Sequence, residues 1–400
     1  LLYRKVAEEL RLQPLNPADA QVKAFIKNER MVGTDEALKP PRLIQARTTR
    51  YTIELGRRLR PLEHWFWGDG QLLKPYFAKS MNGLSKGQRI ARLGNDPETV
   101  QLGNDLVYIL GDYSRFDSTQ NQSLCAIKDA VYKHVYPYDA ELSRMLAWRK
   151  INRCRTKTGI RYTCKARLMS GDYDTALGNC IINYSAIVAW SERAGVPVDF
   201  IVDGDDSVIC CRAGDVNKLL EVQEDHFAKL GLILKSSVVR SIHDVDFCQG
   251  KLVHTIEGWR LVRNPSRARK HAAVAVETYT GERWVRWLRS VGECEAATNA
   301  GVPIMQSFAN LLLRSTSGYK TLHLKDMMFR KAEERVRVLP ITDKARATFA
   351  LSFGISPTMQ VHIENELESQ VIPACDIAKY LDEAVPLPSC EGNWLHNAGH

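Results

Sequence analysis

The sequence predicts an α+β protein, and three observations carry that expectation. Apolar, β-branched runs flank Asp203-Gly204-Asp205-Asp206 in the form of a tight β-hairpin. A second apolar run, Leu106 to Leu110, leads straight into Asp112 as a strand. Between these lies a helical stretch of roughly 172–194, closed by Gly195 and Pro197. At 400 residues the chain exceeds what one hydrophobic core organises, so two or three lobes are expected. A composition 44% hydrophobic and 25% charged is that of a soluble globular protein, not of a disordered or membrane chain.

Lys+Arg of 55 against Asp+Glu of 46 leaves +9, a mild bias toward a polyanionic partner such as nucleic acid. The ten cysteines include no Cys-x-x-Cys pair, and Cys210-Cys211 fall within a strand pattern. They read as reduced, buried thiols of a cytosolic protein. There is no apolar run of about 18 residues and no signal-like start, so no membrane span is expected here. The chain opens on Leu1 without Met, which suggests a piece of something longer with any anchor outside it.

Taken in order, residues 1–20 read as helix up to the turn at Pro14-Leu15-Asn16-Pro17. From 21 to 60 cations crowd the chain (Lys23, Lys27, Arg30, Arg42, Arg47 and Arg50 among them) on two short strands joined by a loop. Such arms can cradle phosphates, with Phe25, Ile26, Leu43 and Ile44 expected to tie them to a core. Trp65-Phe66-Trp67 reads as core. After the 105–111 strand, Ser118 is placed to cap a helix running to about His134. Residues 149–167 form a basic hairpin about Thr158-Gly159, read as template contact or as a solvated face.

Ser170-Gly171-Asp172 reads as a loop before the helix, on which Thr175, Asn179 and Asn183 share one face. Next to two carboxylate pairs, that stripe reads as the polar wall of a site. A helix and a strand carrying Lys235 follow the 201–209 hairpin, then a strand entering a turn at Gly250. From about 256 the pattern is mostly helical, ending in a Pro-rich tail from Pro386.

Paired carboxylates at a hairpin tip repel one another, a cost that a bound divalent cation removes. Alone, Asp205-Asp206 is equally a solvated turn; the second pair, Asp112 and Asp117, favours a site. Nucleotidyl transfer needs metal ions to activate the attacking hydroxyl and stabilise the leaving oxygen. Mg²⁺ takes one or two carboxylates and fills its other positions with water and phosphates. Asp112 and Asp205 meet that demand, with Asp206 in a supporting place because neighbours in extended chain point to opposite faces. Lys235 is a candidate acid for the departing pyrophosphate.

In order along the chain stand "KNER…KPPRLIQAR" at 27–47, "DYSRFD" at 112–117, "SGDYDTALGN" at 170–179, "GDD" at 204–206, Lys235 and "FCQ" at 247–249. This series resembles motifs F, A, B, C, D and E of a viral RNA-dependent RNA polymerase. With "GWRLVRNP" at 258–265 and "SFGISPTMQ" at 352–360, it is more similar to tombusvirus-like enzymes of positive-strand RNA viruses than to flavivirus-like ones. The resemblance implies a right hand of fingers, palm and thumb, with an antiparallel palm sheet backed by helices. Fingers would span 1–104 with the basic arm at 21–60, and inner fingers 135–165. The palm would occupy 105–134 and 166–255, and the thumb and tail 256–400.

The same resemblance implies two Mg²⁺ (or Mn²⁺) ions on Asp112, Asp205 and Asp206. Lys27, Arg30, Arg42 and Arg47 would contact the triphosphate. Asp117 and Asn179 would read the 2′-hydroxyl, helped by Ser170 and Thr175, and Gly171 would let its loop flex. Partners would be RNA template and nascent strand, nucleoside triphosphates and other viral replication proteins. The setting would be membrane-associated replication complexes in the host cytoplasm. A non-catalytic RNA binder would gain nothing from acids beside phosphates. A reverse transcriptase would carry a bulky aromatic where Asp117 stands.

Overall fold

The computed structural model describes residues 2–29, 41–67, 74–322, 335–377 and 379. These fall into two compact units, one from residues up to 27, 40–79 and 93–239, the other from 80–92 and 240 onward.

Among its described residues the first unit holds two four-stranded sheets. Helix α1 (Leu2–Leu12) precedes β1 (Val22–Ile26) and β2 (Leu43–Ala46), and α2 spans Thr49–Trp67. Then come β3 (Leu106–Tyr113), a single turn Phe116–Thr119, α3 (Gln122–Val135), α4 (Ala140–Trp148), β4 (Ile151–Thr156) and β5 (Arg161–Lys165). Helix α5 (Thr175–Ala194), β6 (Asp199–Asp203), β7 (Asp206–Arg212), α6 (Val216–Leu230) and β8 (Leu234–Val239) complete the unit. One sheet has the order β2-β1-β4-β5, with β1 and β4 parallel. The other, β6-β7-β3-β8, is antiparallel throughout. Its outer edge at β6 is covered where Phe77 bridges Val202.

Burial follows the pleat. Val107, Ile109, Phe200, Val202, Ile209 and Cys211 join one core with Leu177, Ile181, Trp190 and Phe227 from α5 and α6. The Trp190 indole N–H donates to the Leu219 carbonyl at 2.9 Å, joining these two helices. Each aromatic or branched side chain buried here contributes about 1.5–3 kcal/mol.

In the second unit, the helix Gly83–Ala91 packs on a hairpin of β9 (Gly250–Thr255) and β10 (Gly258–Arg263). Among the described residues there follow the helices α7 (Pro265–Ala272), α8 (Gly281–Thr298), α9 (Met305–Ser315), α10 (Asp343–Phe353) and α11 (Pro357–Ser369). Val253, Val262, Trp287, Phe308 and Phe349 centre its core. No helix of the described residues is long and apolar enough to cross a membrane.

Several expectations change. Ser118 caps nothing: the chain makes one turn, stops at Gln120 and restarts at Asn121, whose Oδ1 accepts from the Ser123 and Leu124 amides. The next helix starts at Thr175, because Asp172 and Asp174 are held by buried cations outside it. Phe25, Ile26 and Leu43 are exposed; Val22 and Ala24 anchor the arm instead, since β1 alternates. Trp65 is exposed and only Phe66 of that trio is buried. Gly250 closes a tight turn from Phe247, as expected, and also begins a strand, while the strand β10 stands where helix was expected. The tail from Pro386 lies outside the described residues. The nine described cysteines are free thiols.

Candidate active site

The antiparallel sheet gathers the acids. Gly111 lies opposite Ser207, so the next residue, Asp112, comes beside the tip of the β6–β7 hairpin. Asp203 and Asp206 face each other across that tip, and Gly204, at φ +74°, lets the chain reverse within two residues. Asp205 stands exposed on the turn, with Asp206 half-buried behind it. On the other edge of β3, Asp112 lies opposite Lys235, which places the two side chains on one face.

These positions couple electrostatically. Partial desolvation first, and then the charges of Asp112 and Asp203, push the Asp205 carboxyl above its ordinary range, against the pull of Lys79. Asp117 is also raised, by burial first and then by Asp205, while its hydrogen bond from Asn179 opposes the shift. Lys79 forms an ion pair with Asp203. No sequence signal marked Lys79; the bridge between Phe77 and Val202 brings it there.

The α5 stripe does three separate jobs. Asn179 Nδ2 donates to Asp117 Oδ1 at 2.7 Å. One turn on, Asn183 Nδ2 donates to the Gly204 and Asp205 carbonyls, and its Oδ1 accepts from the Tyr113 hydroxyl. Thr175 Oγ1 donates to the Asp172 carbonyl at 2.8 Å and so closes the preceding loop.

That loop is stitched to β2. Ser170 Oγ accepts from the Gln45 amide and donates to the Leu43 carbonyl. The Gly171 amide donates to the Gln45 carbonyl, and a Cβ there would come within 2.9 Å of the Ala46 Cβ. Close approach to β2 is therefore the local reason for glycine at 171.

A cavity of about 1000 Å³ is lined by Lys27, Arg42, Asp117, Ser170, Asn179 and Asp205, with Thr175 on its wall. Asp112, Asp206, Gly171 and Lys235 lie outside that lining. Arg30 falls outside the described residues. Arg47 is a correction. Its Nε donates to Asp172 Oδ1 at 2.7 Å, while Nη1 and Nη2 donate to the Ala20 carbonyl and Asn152 Oδ1. A buried guanidinium must be paired, and this one is spent on the interior rather than turned to the cavity.

Among the described residues, no group of three or more His, Cys, Asp or Glu side chains is assembled for a metal. Magnesium asks for less: one or two carboxylates, with the remainder from water and phosphate. The pair Asp112 and Asp205 fits that demand: beyond the desolvation that mainly raises the Asp205 carboxyl, the charge of Asp112 adds a repulsion that a cation would relieve.

A family model described as viral RNA-dependent RNA polymerase matches residues 1–373. The chain is 30% identical over 393 residues to the RNA-directed RNA polymerase of groundnut rosette virus (strain MC1), covering 94% of this chain and 45% of that protein. It is 29% identical to the corresponding protein of maize chlorotic mottle virus, covering 92% of this chain and 39% of the relative. For tobacco necrosis virus (strain A) the figures are 29% identity, 91% and 51%. The chain thus spans about half the length of these relatives or less. With a match across most of its length, the chain belongs to the viral RNA-dependent RNA polymerase family.

Proposed function

We propose that this chain performs RNA-templated RNA synthesis from nucleoside triphosphates, replicating a viral RNA genome. The observation that carries the reading is the placing of Asp112 on β3 beside the turn bearing Asp205, next to a cavity that holds the Asp117–Asn179 pair. Asp112 and Asp205, with Asp206 beside them, would hold two Mg²⁺ or Mn²⁺ ions. When bound, such ions lower the pKa of the attacking hydroxyl and stabilise the leaving oxygen.

The remaining work falls to the chain. Lys27 and Arg42 line the cavity and supply positive charge for the triphosphate. Lys235, across from Asp112, is the candidate to give a proton to the departing pyrophosphate. Asp117 and Asn179 present an acceptor and a donor to the ribose 2′-hydroxyl. Ser170 and Gly171 hold the loop against β2.

On this reading the β6-β7-β3-β8 sheet with α5 and α6 is the palm. The β2-β1-β4-β5 sheet belongs to the fingers, and the helices after 256 to the thumb. Other viral replication proteins are proposed partners, at membrane-associated complexes in the host cytoplasm. The test is incorporation of labelled UTP on a poly(A)/oligo(U) template with Mg²⁺ or Mn²⁺. Asp205→Ala should abolish it while the melting curve keeps its shape; retained turnover would remove Asp205 from the chemistry.

A further inference from the structure

Gln120 is a buried amide that the proposed chemistry leaves without a role. Its side chain is fully covered and sits just past the turn that carries Asp117. Its carbonyl accepts from Arg167 Nη1 at 2.6 Å, which pins the backbone. Gln120 Nε2 donates to Asn179 Oδ1 at 2.7 Å, and Asn179 Nδ2 donates to Asp117 Oδ1 at 2.7 Å. Gln120 Oε1 has no hydrogen-bond partner among the described residues. A buried acceptor left unpaired is costly. An apolar side chain of similar length would fill the space without that cost, so what the amide contributes is its donor.

We propose that Gln120 is a positioning residue for sugar selection, acting through Asn179. The inference rests on the reading of Asp117 and Asn179 as the pair that meets the ribose. By occupying Asn179 Oδ1, Gln120 holds that amide with its N–H groups toward Asp117 and the cavity. Asn179 then keeps one further N–H to donate, and Asp117 keeps Oδ2 to accept. A hydroxyl is donor and acceptor at once and satisfies both, whereas a deoxyribose satisfies neither. Were the Asn179 amide turned over, its oxygen would face the Asp117 carboxylate, acceptor against acceptor. Asn179 would then offer the sugar no donor beside Asp117.

The test measures kcat/KM for ATP and for 2′-deoxyATP on a primed template, using the full chain. Gln120→Leu should lower the ribo-to-deoxyribo ratio about fivefold, the worth of one lost hydrogen bond, through the ATP arm. Gln120→Met serves the same end should the branched variant fail to fold. A packing role would instead lower both substrates together. Asp117→Ala is the control. If it lowers the ratio while Gln120→Leu and Gln120→Met leave it unchanged, Gln120 is a packing residue and the inference is overturned. If Asp117→Ala also leaves the ratio unchanged, the sugar reading has failed and Gln120 loses its role with it.

Discussion

Asn183 donates from its side-chain amide to the carbonyl oxygen of Gly204 at 3.0 Å. A second bond from the same nitrogen reaches the Asp205 carbonyl at 3.2 Å, and the Tyr113 hydroxyl donates to Asn183 Oδ1 at 3.0 Å. Tyr113 follows Asp112 on its strand. One buried amide therefore ties the strand of the first acid to the turn of the second, so α5 braces the spacing that the sheet register sets.

Removing that tie should cost both stability and turnover. Asn183→Leu leaves the Tyr113 hydroxyl and two turn carbonyls without their partner, at about 1–3 kcal/mol per stranded buried group. The urea midpoint should fall. Nucleotide incorporation should drop further than the folded fraction explains, because the turn bearing Asp205 loosens. A variant as active per folded molecule as the parent would show that the turn holds itself.

Asp174 anchors a buried charge cluster at the start of α5. It takes Lys128 Nζ at 2.9 Å and Arg149 Nη1 at 2.7 Å, and also accepts from the Tyr132 hydroxyl. Asp174→Asn would leave two buried cations undercompensated, at about 3–5 kcal/mol. Replacing a well-paired ion cluster can be neutral; breaking one side of it is not. Chemical denaturation at neutral pH measures the loss.

The same carboxylate predicts an acid-labile fold. Burial pushes Asp174 up, but Arg149 and Lys128 overcome it and hold the group well below the usual carboxylate range. The unfolded chain then binds the proton more readily. Its stabilisation is present in full above the unfolded value of about 3.9 and is lost as pH falls toward the folded one. Urea midpoints should decline from about pH 5 downward, and Asp174→Asn should flatten that decline. A parallel decline in both proteins would place the acid sensitivity elsewhere.

A cationic face on the other sheet predicts polyanion contact. Lys23 pairs in register with Arg155, Arg155 with Arg161, and Arg153 with Thr163. Lys23, Arg153, Arg155 and Arg161 are exposed. Like charges set opposite one another are unfavourable unless an anion lies over them. Replacing Arg155 and Arg161 with Gln should leave folding intact and weaken RNA binding. It should also reduce the slope of log affinity against log salt by about 1.4 for a single strand. An unchanged slope would make this a solvated face.

Much of the fold and site could be read from the residues in order. The turn at Gly204, the strand into Asp112 and the helix ending at Gly195 follow from local rules, because φ at glycine and the strand period act over a few residues. The order of the acids, with Asn179 and Asn183 on one helix face, was legible for the same reason. What only the tertiary structure decided is which distant groups leave water together. Arg47 has the look of a phosphate ligand in sequence, yet it is drawn inward by Asp172 and Asn152, more than a hundred positions away. Gln120 looked like ordinary helix until packing buried it against Asn179. A desolvated polar group must find its partner wherever the fold brings one, and no local pattern records where that is.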